Sequence, residues 1–394
     1  MDPLRNPFAP GAGTPPPELS GRDALMLRAA TALGRIQQGR SEKSLVLVGL
    51  RGVGKTVLLN EIRRHAEDLS YRTCLIEAHE GKTLPALLVP HLRRILLGLD
   101  RMEALNEQVK RGLRVLKSFM NGIKTKFGEV EISLDIDAEI GAADSGDLEA
   151  DLPELMLALG RAGQSRGIAI GLFVDEVQYF QTAELSALIM AMHRIAQENM
   201  PVILFAAGLP QIIALFGNSK SYAERLFDFP EIGPLGPADA SAALSKPAAV
   251  EQVRFSEQAL GYIFSQSRGY PFFLQEWGYH TWNIAKSADI SIEDTYAASS
   301  IAMTRLDEGF FRVRFDRLTP REKNYLRAMA ELGPGAQRSG EIAKILHKKS
   351  SDLGPLRDGL IGKGMIYAPA HGDIAFTVPM FDEFMRRIMP QASF

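Results

Sequence analysis

The chain of 394 residues contains one cysteine, Cys74. A single thiol excludes a disulfide framework and a zinc site built from several cysteines, and it suits a reducing compartment. Long apolar runs are missing as well. The longest, near Ile168–Val174, is far too short to span a bilayer, and Met1-Asp-Pro-Leu-Arg-Asn-Pro has no apolar signal core. Net charge is only −2, so no global field draws the chain to nucleic acid or membrane, and any such contact has to be local. No internal repeat is visible. These absences lead us to expect a cytoplasmic protein with no membrane partner. Its length allows two or three domains, and its 46% hydrophobic and 23% charged content is ordinary for a globular fold.

Residues 49–56, Gly49-Leu50-Arg51-Gly52-Val53-Gly54-Lys55-Thr56, form a complete G-x-x-x-x-G-K-[ST] loop. The apolar run before it reads as a buried parallel strand, and Val57 opens a stretch with helical periodicity. In that context the glycines let successive backbone N–H groups turn inward around phosphate oxygens at the positive end of a helix. Gly49 through Val57 are therefore the expected nucleotide contacts. Lys55 would reach the β- and γ-phosphates and the Thr56 hydroxyl would hold Mg²⁺.

A second apolar strand, Gly167–Val174, ends on Asp175-Glu176. Asp175 at that strand end would bind Mg²⁺ through water, and Glu176 would polarise the attacking water, which makes Glu176 and Lys55 the expected catalytic residues. Gln178 is placed to assist orientation, with an exposed glutamine at a helix start as the better reading.

Strands are expected at 44–49, 72–77, 167–174 and 201–207, with helices between them. This alternation predicts an α/β fold: a P-loop NTPase parallel sheet with helices on both faces. Residues 1–18, rich in Pro and Gly, read as an extended arm rather than a packed element. The expected layout is a nucleotide-binding core over 19–234, a helical region over 235–316 and a third unit over 317–394. Residues 100–150 interrupt the core. Arg101–Lys126 carries seven basic and two acidic residues, and Gly128–Gly160 has ten carboxylates and no Lys or Arg. Glu129–Asp137 alternates as a strand or hairpin would. This block reads as a solvated insertion whose halves attract each other, with a docking surface for a protein partner as the alternative.

The third unit begins with Thr319-Pro-Arg-Glu, a helix start with capping residues. Three helices, then two short strands around His371-Gly-Asp, read as a winged helix, closed by a helix over 381–389. Such a module can place its third helix in the DNA major groove. Arg338, Lys344, Lys348, Lys349, Arg357 and Lys363 make it locally basic, but Asp352 and Asp358 would face phosphates.

The phosphate loop, Leu172-Phe-Val-Asp-Glu176 and Ser20-Gly-Arg-Asp23 resemble the AAA-type ATPases of the origin-recognition and STAND (signal-transduction ATPase) kinds. The resemblance implies that Gly21 and Arg22 lie near an adenine. Ser267-Arg-Gly-Tyr-Pro-Phe-Phe-Leu274 resembles the Gly-x-Pro motif of STAND proteins, which implies that Gly269 and Pro271 lie near the base and link nucleotide state to lid position. Two features depart from the pattern. The strand end at Phe205-Ala-Ala-Gly-Leu-Pro210 has no polar side chain to sense the γ-phosphate, which argues for slow hydrolysis. Arg225 reads equally as a γ-phosphate sensor, as an arginine finger on a neighbouring copy in a homo-oligomer, or as a surface arginine paired with Glu224 or Asp228.

These readings lead to an expected ATP/ADP-dependent switch with slow ATPase activity. A DNA-binding loader or initiator, and an adapter that holds nucleotide without turnover, are the alternatives.

Overall fold

The computed structural model describes residues 1–11, 13–100, 106–127 and 136–390. Its centre is a five-stranded parallel sheet of β1 (Ser44–Val48), β2 (Arg72–Glu77), β3 (Ile170–Asp175), β4 (Val202–Gly208) and β5 (Phe227–Asp228), in the order β2-β3-β4-β1-β5. Helices flank it: α1 (Asp23–Gln37), α2 (Lys55–Asp68), α3 (Leu84–Asp100), α4 (Glu107–Phe127), α5 (Leu148–Ser165), α6 (Thr182–Gln197), α7 (Ile212–Ser219) and the short α8 (Ala223–Leu226). The expected α/β architecture is therefore present. Alternation along each strand sends side chains to opposite faces. Val46, Leu172, Val174 and Leu204 face the core that holds α3, α4, α5 and α6. Leu45, Leu47, Phe173 and Phe205 face the other core, with α1 and α2, where Phe173 stacks on Phe205 at 5.3 Å.

A helical region follows: α9 (Pro237–Val250), α10 (Glu257–Ser267), α11 (Pro271–Ile284) and α12 (Ile292–Arg305), with the two-residue strands β6 (Arg254–Phe255) and β7 (Asp289–Ile290) paired between them. After α12 the chain runs through a π-helical turn, Leu306–Phe311, into α13 (Arg312–Phe315). The C-terminal region has α14 (Pro320–Glu331), β8 (Gln337–Arg338), α15 (Ser339–Ile345), α16 (Gly354–Gly362), β9 (Ile366–Tyr367), β10 (Asp373–Phe376) and α17 (Phe381–Ile388). Thr319 caps α14 with the expected box, its hydroxyl accepting from Glu322 N and the Glu322 carboxylate accepting from Thr319 N. Helices α9–α12 and the C-terminal region share one continuous apolar core.

Three expectations need correction. Residues 1–18 are extended over much of their length but do not float free, because Phe8 is 2% exposed in the core of α9–α12, edge-on to Phe255 and Trp282. One buried aromatic ring outweighs the Pro/Gly composition around it. The block over 100–150 is not a solvated insertion. The apolar face of α4, with Val109, Leu113, Leu116, Phe119 and Ile123, is buried in the sheet core beside α3 and α5. Its basic face does attract the acidic segment, with Arg111 and Arg114 at 2.8 and 3.5 Å from Glu139. The strand expected at Glu129–Asp137 lies almost wholly outside the described residues. Third, β5 was not foreseen: two residues carry too little pattern to read, and only pairing with β1 defines them as a strand.

Candidate functional site

The phosphate loop leaves β1 and enters α2 at Lys55, with Gly52 and Gly54 at φ of 81° and 93°. Both need the left-handed region that glycine adopts without penalty. Gly49 is required for a different reason. A Cβ there would run into the carbonyl oxygen of Ile232, which follows β5 beside β1. Lys55 is 7% exposed and its Nζ donates to the carbonyls of Gly49 and Leu50, both at 2.9 Å. Burial lowers its pKa to about 8, against the opposing pull of Glu176 and Asp175.

Thr56 and Asp175 meet at the edge of the sheet, 119 residues apart in sequence. The Thr56 hydroxyl donates to Asp175 Oδ2 at 2.6 Å, and Asp175 Oδ1 accepts from Glu176 N at 2.9 Å. Burial raises the Asp175 pKa, with the Thr56 hydrogen bond opposing it. A hydroxyl and a carboxylate oxygen side by side form the hard-oxygen donor pair that suits Mg²⁺, which takes few protein ligands and completes its shell with water and phosphate. The residues therefore fit that ion.

Glu176 stands at φ 53°, ψ 38°, a left-handed conformation that a non-glycine residue rarely adopts. Arg51 Nη1 lies 3.5 Å from its carboxylate, and Arg51 Nη2 donates to the Tyr179 hydroxyl at 3.1 Å. Gln178 is not the exposed glutamine expected. Its Nε2 donates to Glu176, and its Oε1 accepts from Leu209 N at 3.1 Å. It closes over Gly208, where a Cβ would meet Oε1 at 2.6 Å. The strand end that lacks a polar side chain of its own thus receives one from Gln178.

A cleft of about 490 Å³ opens over the loop, lined by Arg51–Leu58 and Glu176 from the core. Arg22, Pro271, Phe272, Glu276, Phe310 and Arg314 line it from elsewhere. Arg22 braces the loop to the segment after β5, donating to Val53 O at 3.3 Å and Gly233 O at 2.6 Å. Gly21, at φ 69°, sits beneath it against Asp239. Pro271 reaches the cleft at the start of α11, and Phe272 N donates to Gly52 O at 3.3 Å. Gly269 does not line the cleft. It holds the turn at φ 72°, and its carbonyl accepts from Leu235 N at 2.8 Å.

Arg225 is not brought to the cleft. It is exposed on α8, and Asp228, one of its expected partners, pairs with Arg28. Arg305, at the end of α12, reaches the cleft from outside the core, and so does Arg314, on α13 after the π turn. Its guanidinium lies 4.2 Å over the Phe310 ring, which stacks on Phe272 at 4.8 Å. Burial, then the nearby Arg51, lowers the Arg314 pKa to about 10. Arg314 carries no motif, and no local pattern marks it. Glu276 also lines the cleft, its carboxyl pushed up to about 7 by burial.

Residues 18–205 match the family model described as "AAA ATPase domain". This part of the chain therefore resembles an AAA ATPase domain, and its parallel sheet and phosphate loop have the P-loop NTPase fold. Residues 308–385 match a model described as "Domain of unknown function (DUF8462)". Among curated proteins no sequence matches. Solved structures similar to this chain include Cdc6p from Pyrobaculum aerophilum, at 14% identity and a TM-score of 0.49, covering 99% of this chain and 98% of that one. The Aeropyrum pernix ORC1 protein in complex with DNA aligns at 14% identity and a TM-score of 0.47, covering 94% of each chain. The Thermotoga maritima RuvB Holliday junction branch migration motor aligns at 14% identity and 0.45, covering 97% of this chain and all (100%) of that one. Among the described residues no helix is long and apolar enough to cross a membrane.

Proposed function

We propose that this protein binds ATP with Mg²⁺ in the cleft, hydrolyses it slowly, and rearranges its lid and C-terminal region with nucleotide state. One observation carries the reading: the same cleft is walled by the core through Lys55, by the lid through Pro271 and Phe272, and by the segment leading into the C-terminal region through Arg314. A polyphosphate bound there touches all three, so its charge has different contacts in closed and open arrangements, which is what a switch requires.

In this reading Lys55 leaves the loop carbonyls for the β- and γ-phosphates, and Thr56 and Asp175 hold Mg²⁺. The metal, when bound, neutralises charge on the phosphate oxygens. Glu176 orients and deprotonates the attacking water, and Gln178 and Arg51 hold its carboxylate in place. Arg314 supplies the cation for the terminal phosphate within one chain. Arg22 and Pro271 border the nucleoside, with Gly21 and Gly269 shaping the turns that present them. Arg225, exposed on α8, is available only to a neighbouring copy in a homo-oligomer.

We read residues 19–234, 235–316 and 317–394 as core, lid and winged helix, the last with its three strands in the order β8-β10-β9. A DNA-acting ATPase is the second reading. Lys344, Lys348 and Lys349, all exposed at and after the end of α15, favour it. Asp358 on α16, beside Arg357 at 3.2 Å, opposes it. The deciding experiment is ATP turnover with and without duplex DNA, next to Glu176→Gln. Slow turnover that ignores DNA and disappears in the variant supports the switch. Turnover that rises with DNA and falls with salt supports the DNA-acting enzyme. Nucleotide that binds and never turns over leaves the adapter.

A further inference from the structure

The N-terminal segment crosses the nucleotide cleft between two anchors. At one end Phe8 is buried in the lid core, and Gly278 on α11 leaves room for it: a Cβ there would lie 2.9 Å from the ring. Polar contacts fasten the same end to the lid. Asn6 Nδ2 donates to Tyr279 O at 3.0 Å, Ala9 N donates to Gln275 Oε1 at 3.3 Å, and Arg5 meets Glu251 at 2.8 Å. At the other end Glu18 pairs with Lys246 of α9 at 2.7 Å, and Ser20 is buried just before α1 joins the core.

Between these anchors the segment forms one wall of the cleft, through Ala9, Pro10, Gly11, Gly13, Thr14 and Pro16. It lies close to the phosphate loop itself, since a Cβ built on Gly13 would stand 3.5 Å from Thr56 Cγ2. Gly13 has a φ of 72°, and Pro15-Pro16-Pro17 stiffens the following stretch. The wall is thus a restrained strap with fixed ends. No residue of the phosphate loop, the Asp-Glu strand end or the Gly-x-Pro turn belongs to it.

We propose that residues 9–11 and 13–17 act as a retaining strap of the nucleotide site, so that nucleotide leaves only when the strap lifts from the core or moves with the lid. The inference rests on the reading of the cleft as a nucleotide site. It assigns the strap to release rather than to chemistry, because no side chain of it reaches Glu176 or Asp175 by hydrogen bond among the described residues.

The test is a stopped-flow chase of the fluorescent nucleotides mant-ADP and mant-ATP from the full chain. Two variants are compared with it: Phe8→Ala, which removes the lid anchor, and a triple Pro15→Gly, Pro16→Gly, Pro17→Gly variant, which slackens the strap mainly at exposed positions and keeps the core intact. The triple variant covers the case in which Phe8→Ala fails to fold. We expect dissociation about tenfold faster in Phe8→Ala and severalfold faster in the triple variant, with association changed much less. Off-rates within twofold of the native chain in folded variants would overturn the strap and leave nucleotide binding standing. If the native chain and a Lys55→Ala control alike bind no mant-nucleotide, the nucleotide reading itself fails, and the strap with it.

Discussion

The backbone N–H of Arg51, in the phosphate loop, donates to the carbonyl of Thr377, just beyond β10, at 3.0 Å. Thr377 is fully buried, its hydroxyl donating to Gly364 O at 2.5 Å and its N–H to Met365 O at 3.1 Å. The phosphate loop is therefore bonded directly to the C-terminal region, and the same arginine reaches Glu176 and Tyr179 with its side chain. A displacement of the loop by bound phosphate bears at once on that contact and on the Glu176 carboxylate.

Gln178→Ala removes the link between Glu176 and the end of β4. ATP turnover should fall about tenfold, the scale of a misplaced general base, while the ATP dissociation constant stays within about twofold. Single-turnover rates set against equilibrium binding separate the two. A loss in affinity equal to the loss in rate would show that Gln178 is structural only.

The two arginines make opposite predictions. Arg314→Ala should weaken ATP binding by about tenfold or more, the weight of charge-assisted hydrogen bonds to phosphate, and weaken ADP binding less. Arg225→Ala should leave ATP binding by an isolated chain unchanged. Calorimetric titration of both variants with both nucleotides checks this, and the reverse ranking would remove Arg314 from the phosphate site.

Lys55 is charged in the empty cleft below pH 8 and loses its proton above it, because burial lowers its pKa to about 8. Bound phosphate favours the charged amine, so binding takes up a proton across that range. Affinity for ATP should therefore fall by roughly 25-fold from pH 7.5 to 9.5. Titrations in buffers of different ionisation enthalpy would reveal the uptake. A flat pH profile would mean that Lys55 does not touch phosphate.

Gly49→Ala tests the backbone rather than the chemistry. The added methyl meets the carbonyl of Ile232, and the backbone has to shift, at a cost of about 1–3 kcal/mol typical of overpacking. The variant should melt below the native chain with no nucleotide present. An unchanged melting temperature would show that the loop and the segment after β5 part easily.

Much of the fold was legible because its signals are local. β1, β3 and β4 are short apolar runs bounded by turn residues, and the capping box of α14 lies within four consecutive residues. Other features left no local trace. A lone phenylalanine in a Pro/Gly segment has no period, so Phe8 could not be recognised as an anchor. In α4 the count of charges hid an apolar face that was present at helical spacing. Gln178 and Arg314 sit in no motif, and only the packing of neighbouring elements sets them beside Glu176 and in the cleft.

The sequence by itself determined the chemistry of the phosphate loop and the Asp175-Glu176 strand end, because a run of glycines, a lysine and a hydroxyl at fixed spacing dictates its own backbone geometry. Only the tertiary structure decided which distant groups complete the cleft. It brought in Arg314 in place of Arg225, set Gln178 beneath Gly208, joined Thr377 to Arg51 and drew the N-terminal strap across the opening. These contacts join residues tens to hundreds of positions apart, and their energies come from burial and from satisfying backbone groups in a packed interior. No property of one segment specifies them until its packing partners are in place.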